Sequence, residues 1–368
     1  MLHVSNTAKG APLAKKVAVI GSGSWGTAVT SLVSPQAQEV VVWSFEQEVA
    51  DGINNTRHNP VQLPDFEFPK NVRATTSLQT AAQDAEALLL VVPSAFLRQT
   101  CARLAPFVAN DVPVLVLTKG VERGTGNLMA TVVAQELGNE NRIAVLSGPN
   151  HAEEISQGTI SAAVVASKSQ DVAKYFQSML VCPAFRVYVT EDLEGVEICA
   201  AEKNVIAIAC GIAVALGAGD NTLAVLMTRG LAEVSRIAVA VGANPLTCMG
   251  LAGMGDLVVT CTSRHSRNRS FGEAFVRGES LDAYQRRTGM IVEGAEAARS
   301  IWELAVAHGV QAPITKVVYD LLFEGLPLSN AVEALIERTP VVEFYGVGQQ
   351  EATDKVSDGA SGPSHKDQ

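Results

Sequence analysis

The feature that most constrains the fold of this chain is a glycine-rich turn near its N-terminus, in the segment KKVAVIGSGSWGTAV at residues 15–29. Residues 17–20 form a short apolar run rich in β-branched side chains, which is typical of a buried strand. Residues 24–32 have helical character with a face of small side chains. A strand, a glycine turn and a helix in this order predict a βα unit that binds a dinucleotide.

Each glycine of the turn has a separate predicted task. Gly21 makes the tight turn, Gly23 lets the backbone approach a pyrophosphate, and Gly26 lets the helix pack close to the strand. The helix N-terminus then offers unpaired N–H groups to the phosphates. A plain βα turn without a ligand is the alternative that the glycines alone leave open.

Composition bounds the class of protein. The chain has 368 residues, 47% of them hydrophobic and 18% charged, which indicates about two domains with a sizeable core. A net charge of −10 argues against nucleic acid or an anionic membrane as the main partner. The N-terminal segment lacks the apolar core of a signal peptide, and the most apolar stretch, 205–216, is too short to span a membrane. We therefore expect a cytoplasmic protein without stable membrane insertion.

Six cysteines show neither CxxC nor Cys/His spacing, and several lie in apolar segments. They are interpreted as reduced, buried side chains, not as disulfides or zinc ligands. No metal is expected.

The order of elements predicts an α/β domain followed by an all-α domain. The strand candidates are residues 17–20, 40–43, 87–92, 114–118, 143–146, 162–166 and 185–189, with helices such as 96–104 and 128–137 between them. This alternation predicts a mostly parallel Rossmann sheet with helices on both faces. The helix candidates of the second half are 195–216, 222–241, 267–277, 292–308, 314–323 and 329–338. The expected divisions are an N-terminal extension (1–14), a Rossmann domain (15–191), a helical substrate domain (192–345) and a disordered tail (346–368).

The end of the second strand decides which dinucleotide fits. Glu46 follows Gly26 by twenty residues, Phe45 precedes it, and no basic residue appears before Arg57. An acidic residue here would repel a 2′-phosphate, so NAD(H) is favoured and NADP(H) is the alternative. The alternative is that Glu46 is the acidic residue that opens the next helix, which would not exclude NAD.

Two glycine turns of the first half point to chemistry. Lys119 lies just past the end of one predicted strand, and Gly148 and Asn150 lie past the next one, at the sheet edge where a ligand would bind.

Three features of the second half also point to chemistry. Lys203 lies on an apolar helix face, where it would either extend to the surface or act as a proton donor with a lowered pKa. Asp256 follows a turn crowded with glycines and could be a helix N-cap or a site residue. Ser266 is a candidate N-cap, and the helix that begins at Arg267 offers a phosphate site or only a solvated basic helix start.

These segments together resemble the NAD(P)-dependent glycerol-3-phosphate dehydrogenases. The matching segments are VIGSGSWGTA, VVPSAFLR, LTKGVE, LSGPN, EKNVIAIACGIAVALGAGDNTLAVLMTRGLAEVSR, GLAGMGDLVVTCTS, SRNRSFG and VEG at residue 292. They run in the family's order over about residues 17–337. The resemblance implies reversible reduction of dihydroxyacetone phosphate to sn-glycerol 3-phosphate for glycerophospholipid synthesis, by a cytoplasmic homodimer.

The resemblance also implies roles for individual residues. Lys203 matches the catalytic proton donor and acceptor. The substrate-binding positions are Lys119, Gly148, Asn150, Lys203, Asn204, Asp256, Thr260, Ser266, Arg267 and Asn268. The cofactor-binding positions are Gly21, Gly23, Ser24, Trp25, Gly26, Phe45, Phe96, Lys119, Ala152, Arg267, Ile291 and Glu293.

Some positions depart from the bacterial pattern of that family. Asn150 and His151 replace a Ser or Thr followed by Phe, and Phe45 stands where many members have a basic or imidazole side chain. Glu202 beside the lysine is also unusual. These departures favour NAD. The alternatives are a dehydrogenase of the 6-phosphogluconate or 3-hydroxyacid type and a non-catalytic NAD-sensing protein; the basic SRNRSFG segment argues against the first and the two lysines against the second.

Overall fold

The computed structural model describes residues 13–336, 343, 345 and 346. The predicted N-terminal extension and C-terminal tail lie outside these residues, apart from residues 13, 14 and 346.

The first half forms one eight-stranded sheet. Its strands are β1 (Ala14–Ile20), β2 (Ala37–Trp43), β3 (Val72–Thr75), β4 (Ala87–Leu90), β5 (Val114–Val116), β6 (Ile143–Ser147), β7 (Ser161–Ala166) and β8 (Phe185–Thr190). Their order is β3-β2-β1-β4-β5-β6-β7-β8. All neighbours are parallel except β6 and β7. The order reverses between β1 and β4, which is where doubly wound sheets bind dinucleotides.

Helices cover both faces of this sheet. They are α1 (Ser24–Val33), α2 (Gln47–Thr56), α3 (Leu78–Ala82), α4 (Ser94–Leu104), α5 (Met129–Leu137), α6 (Ala152–Ser156) and α7 (Gln170–Leu180). Alternate residues of β1 enter opposite cores, with Val17 and Val19 on one side and Ala18 and Ile20 on the other. The predicted doubly wound α/β fold is confirmed.

The described residues after β8 are helical. The helices are α8 (Leu193–Ala215), α9 (Asp220–Ala240), α10 (Asp256–Thr262), α11 (Arg267–Val276), α12 (Leu281–Thr288), α13 (Glu293–Ala307), α14 (Pro313–Phe323) and α15 (Leu328–Ile336). The all-α second half is therefore also confirmed. The predicted last two residues of its final helix, 337–338, lie outside the described residues.

Helix α8 is the central helix that packs against both the sheet and the other helices of the second half. Every residue from Gly195 to Ile212 is buried, because the helix packs on β6 and on α9, α11 and α13. Among the described helices it is the one long and apolar enough to cross a membrane, and 78% of its most apolar window is buried inside the protein. This burial is what the central helix of a large core requires.

Candidate active site

The glycine turn has the geometry that its sequence predicts. Gly21 adopts φ +123°, a region that side chains disfavour. A Cβ on Gly26 would lie 2.1 Å from the carbonyl oxygen of Gly21, whereas a Cβ on Gly23 would meet nothing within 4 Å. The first and third glycines therefore build the turn, and the second leaves open space where a pyrophosphate can approach the backbone.

Buried polar contacts that the sequence did not predict hold this turn in place. The hydroxyl of Ser22 donates to Ser44 at 2.8 Å, which ties the turn to the end of β2. Asn59 donates to the carbonyl oxygen of Ser22 at 2.8 Å. The turn is thus fixed before any ligand binds, which suits a cradle for a dinucleotide.

The adenosine end of the predicted cofactor site is open. The Phe45 side chain is 77% exposed and meets Trp43 edge to face. Glu46 directly precedes α2 as its N-cap residue, without a capping hydrogen bond from its side chain. The helix-opening interpretation of Glu46 is therefore correct as to position. Its carboxylate lies beside the end of β2, where Oε2 accepts a hydrogen bond from Ser44 Oγ at 3.3 Å.

The other predicted cofactor residues divide into core and surface positions. Ala152 belongs to the core between α1, α6 and the sheet, and Trp25 is half-buried and packs against that core. Ser24 donates to Gln62 at 2.5 Å. The remaining three stand at or just before helix N-termini: Phe96 in the first turn of α4, exposed; Ile291, exposed, just before α13; and Glu293, half-buried, at the start of α13.

The centre of the candidate site is Asp256, the first residue of α10, which is 2% exposed. Its Oδ2 accepts hydrogen bonds from Lys119 Nζ at 3.0 Å and from Ser147 Oγ at 3.1 Å. Its Oδ1 forms an ion pair with Lys203 Nζ. Lys203 also donates to Thr260 Oγ1 at 3.1 Å. Three residues from distant segments, Lys119, Ser147 and Lys203, thus converge on one buried carboxylate.

This arrangement decides between the interpretations of Lys203 and Asp256. Lys203 is 6% exposed, so the surface-directed alternative is wrong. Asp256 is not an N-cap, because Gly255 occupies that position and Asp256 already has helical backbone angles. Instead, a π-helical turn over Leu251–Gly255 precedes α10 and lies against Pro149 of the loop after β6.

Burial and charge shift the ionisation of this group of residues. Burial lowers the pKa of Lys203 to about 8; the Asp256 carboxylate opposes this shift and the Lys119 cation adds to it. Burial alone would raise the pKa of Asp256, but the two lysines outweigh burial and hold that pKa below its ordinary value. Asp256 is therefore an anion at neutral pH, and Lys203 can gain or lose a proton near neutrality.

A second set of contacts joins α8 to the predicted phosphate-binding helix. Asn268 Nδ2 donates to Asn204 Oδ1 at 2.9 Å, and Asn268 Oδ1 accepts the N–H of Gly294 at 2.9 Å. The Asn268 amide is thus held by protein at both ends. These bonds place the start of α11 beside the residue that follows Lys203.

The start of α11 has the features of an anion site. Ser266 is its N-cap, as predicted, and accepts the N–H of Arg269 at 3.3 Å. Arg267 is exposed and forms no ion pair with the described residues. A free arginine at a helix N-terminus offers both charge and N–H donors to a phosphate.

The loop after β6 brings Gly148 and Asn150 to the same edge of the sheet. Gly148 has φ +152°, and a Cβ there would lie 2.8 Å from Ala162 O of β7. Asn150 Nδ2 and His151 Nε2 are buried without a hydrogen-bond partner among the described residues. Burial and the Lys203 cation lower the pKa of His151. Polar groups left unpaired here are available to a ligand.

Sequence reasoning missed Ser147, although it directly precedes the predicted Gly148. Its signal was its place at the end of a strand, the same signal that identified Lys119. Within the described part of the chain, no group of three His, Cys, Asp or Glu side chains could hold a metal ion.

The glycine turn follows β1, Lys119 follows β5 and Ser147 ends β6. These strands run parallel, so all three features occupy their common carboxyl edge. A lysine with a pKa near neutrality faces this edge from α8. Hydride transfer to a carbonyl needs such a pairing of dinucleotide cradle and proton donor. The chain therefore falls in the class of NAD(P)-dependent dehydrogenases.

Comparison with known proteins identifies the family. Residues 16–173 match the N-terminal domain, and residues 192–333 the C-terminal domain, of NAD-dependent glycerol-3-phosphate dehydrogenase. The chain belongs to this family, which decides against the 6-phosphogluconate or 3-hydroxyacid type. It is an oxidoreductase of the NAD(P)-dependent kind.

Individual relatives and a solved structure support the same family. A glycerol-3-phosphate dehydrogenase (NAD(P)+) of Pelotomaculum thermopropionicum is 44% identical over 334 residues, covering 90% of this chain and 96% of the relative. The enzyme of the same name from Shouchella clausii is 42% identical, covering 88% and 96%. The crystal structure of glycerol-3-phosphate dehydrogenase from Coxiella burnetii matches with a TM-score of 0.85 and 36% identity, covering 89% of this chain and all of that one.

Proposed function

We propose that this dehydrogenase reduces dihydroxyacetone phosphate to sn-glycerol 3-phosphate with NADH in preference to NADPH. The observation that carries the proposal is the buried Lys203–Asp256–Lys119 group next to the Asn204–Asn268 contact, which leads to a helix N-terminus with a free arginine. The substrate has a carbonyl at one end and a phosphate at the other. The two groups of residues supply a proton donor and an anion site for these ends.

The cofactor fits the residues present, since the open space at Gly23 lies where a pyrophosphate would approach the turn. NAD(P)H supplies the hydride when bound there. Lys203 donates its proton to the carbonyl oxygen, and Asp256 keeps the lysine ammonium in place. Lys119 stabilises the negative charge that develops on that oxygen.

The remaining predicted site residues take supporting roles in this proposal. Arg267 and the α11 N-terminus hold the phosphate, with Ser266 and Asn268 fixing that end of the helix. Asn150 and Asn204 line the substrate, with Gly148 allowing the loop to pass close to β7. Thr260 orders Lys203 through its hydrogen bond.

NADH preference rests on Phe45 and Glu46. No basic side chain lies between the end of β2 and Arg57 in sequence, and Arg57 is committed to the carbonyl oxygens of Phe68 and Val72. A 2′-phosphate at the end of β2 would therefore meet the Glu46 carboxylate without a compensating arginine.

A cytoplasmic homodimer that supplies glycerophospholipid synthesis is proposed from the family resemblance. Light scattering of the purified chain tests the oligomeric state, and a mass of one protomer would contradict it.

The first test is the initial rate of dihydroxyacetone phosphate reduction with NADH and NADPH side by side. The expected result is a higher kcat/KM with NADH. Equal or faster turnover with NADPH would reject the cofactor preference and keep the reaction, whereas no turnover with either would reject the reaction.

A further inference from the structure

Glu197 is a buried carboxyl group that the proposed mechanism does not use. It lies on α8, six residues before Lys203, and is 5% exposed. Its Oε1 accepts the N–H of Ala130 at 2.8 Å in the first turn of α5. Its Oε2 is buried without a hydrogen-bond partner among the described residues. An unpaired buried oxygen is energetically costly. The hydrogen bond to α5 satisfies only one of the two carboxyl oxygens, so the other needs a separate explanation.

Glu197 lines a small cavity between α8 and the carboxyl ends of β5 and β6. The other polar side chains on its wall belong to Thr118, Lys119 and Ser147. Lys119 and Ser147 are the two residues that bind Asp256 Oδ2. The cavity therefore lies directly behind the sheet side of the candidate active site.

The hydroxyl groups of this cavity have already used their protons. Thr118 Oγ1 donates to Val92 O at 2.7 Å, and Ser147 Oγ donates to Asp256 Oδ2 at 3.1 Å. Each can therefore only accept a further hydrogen bond. Lys119 on the same wall is bound to Asp256 Oδ2, and no donor among the described residues lies within hydrogen-bond distance of Glu197 Oε2. A carboxylate oxygen there would be buried without a donor, whereas a carboxylic acid supplies its own proton to the cavity.

We propose that Glu197 is held as a neutral acid and is a positioning residue for Lys119 and Ser147, its Oε2–H donating to one water in the cavity, which donates in turn to a hydroxyl at the strand ends that carry them. This water-mediated link fixes the β5 and β6 ends against α8, and so fixes the sheet side of Asp256 relative to Lys203. The burial of the carboxyl agrees, since burial, with a smaller contribution from Glu194, raises the pKa of Glu197 to about 8 against the opposing N–H groups of Ala130 and Met129. The kinetic part of this inference rests on the proposed reaction.

The charge state is tested first, without turnover. Infrared difference spectra of wild type against Glu197→Gln should show, at neutral pH, the carbonyl band of a protonated carboxylic acid that is absent from the variant. Carboxylate bands in its place would overturn the proposal, whether or not the enzyme reduces dihydroxyacetone phosphate.

Kinetics test the positioning role. Glu197→Gln keeps an acceptor for Ala130 and a donor toward the cavity, so its KM for dihydroxyacetone phosphate should stay within about twofold of wild type. Glu197→Met removes both, and its KM should rise about tenfold while the Kd for NADH stays unchanged. The increase should be smaller in a Ser147→Ala background, because the acceptor is already lost.

Equal impairment of the Gln and Met variants, or full additivity with Ser147→Ala, would overturn the positioning role. If Glu197→Met does not fold, the infrared spectra and the kinetics of the Gln variant still test the proposal. Absence of dihydroxyacetone phosphate reduction by wild type would reject the proposed function alone and leave the infrared test of Glu197 standing.

Discussion

Lys203 is buried in the protein interior, where the single carboxylate of Asp256 balances the charges of Lys203 and Lys119. Its pKa of about 8 means that it is mostly protonated below that pH and mostly neutral above it. In the reduction direction the protonated form is needed, so kcat should fall as pH rises through about 8. In the oxidation direction the neutral form is needed, so kcat should rise over the same interval.

Steady-state rates in both directions between pH 6 and pH 10 measure this dependence. Lys203→Met should lower kcat about 10²–10⁴-fold, while Kd for NADH is retained. Identical pH profiles in the two directions would contradict a single group acting as both acid and base.

Arg267 is exposed and forms no hydrogen bond or ion pair with the described residues. Arg267→Ala should raise KM for dihydroxyacetone phosphate about 10–100-fold, the value of one charge-assisted hydrogen bond. The effect on kcat should be smaller, because the reacting carbonyl is held elsewhere. Arg286→Ala, another exposed arginine, is the matched control, and an equal KM change in both variants would reject a specific phosphate contact.

Phe45 stands at the end of β2 where the two nicotinamide dinucleotides differ. Phe45→Arg should raise kcat/KM for NADPH relative to NADH, since a guanidinium can bind the 2′-phosphate. The ratio of the two values measures the change. Tyr188→Arg, an exposed aromatic residue on β8, is the control, and an unchanged ratio in Phe45→Arg would show that the cofactor is selected elsewhere.

At the scale of elements, α8 and α11 pack backbone to backbone. A Cβ on Gly272 would lie 2.3 Å from Ile208 O, and one on Gly211 would lie 2.0 Å from Arg269 O. This close contact holds the Arg267 end of α11 in register with Asn204. Glycine is therefore required at this crossing by space, not by backbone angles.

Gly272→Ala should lower the free energy of unfolding by about 1–3 kcal/mol, because the two helices must separate. It should also raise KM for dihydroxyacetone phosphate by displacing the α11 N-terminus. Urea unfolding and substrate kinetics measure both effects. Gly219→Ala is the control, since a Cβ there meets nothing within 4 Å, and similar losses in the two variants would contradict the packing argument.

The elements that sequence predicted well are those with long apolar runs and clear glycine or capping signals, such as β1 and α8. Strand β3 was missed because it has four residues, includes Arg73 and is buried on alternate positions at the sheet edge. Helix α12 was missed because it buries Tyr284 alone and presents charged residues elsewhere. Helix α10 was missed because it follows a π-helical turn, which no simple periodicity describes.

The candidate site shows the same division. Lys119, Lys203 and Asp256 stood out because charged residues are conspicuous near glycine turns or on apolar helix faces. Their convergence on one carboxylate depends on segments 137 residues apart in sequence, which local patterns do not encode. Ser147 and Glu197 were missed because a serine at a strand end and a glutamate on a helix are common, and only their burial gives them meaning.

At the scale of the whole molecule, Asp256 joins the sheet half to the helical half. It belongs to the helical half, and Lys119 and Ser147 reach it from the sheet. Its folded-state pKa lies below the ordinary value of 3.8, so its stabilising contribution is complete at neutral pH and is lost as pH falls through that lower value.

Asp256→Asn should therefore be less stable than wild type at pH 7. The difference in the free energy of unfolding should narrow as pH falls below about 4, because the Asp256 carboxylate gains its proton first in the unfolded chain and only at a lower pH in the folded protein. Urea unfolding at a series of pH values measures the two curves. Parallel curves down to the lowest pH would show that the carboxylate adds no charge-dependent stability.

The continuous run of α8 through both halves also sets where the chain can change its length. Four residues along this helix make contacts that the site depends on. Glu197 contacts α5, Lys203 contacts Asp256, and Asn204 and Gly211 both contact α11. One residue inserted between 197 and 211 would turn everything beyond it by about 100° and advance it by about 1.5 Å. All the contacts beyond the insertion would therefore be lost together. The number of residues between these contacts on α8 is therefore fixed. The turn between α11 and α12, at residues 277–280, can instead lengthen without displacing any of the four contacts.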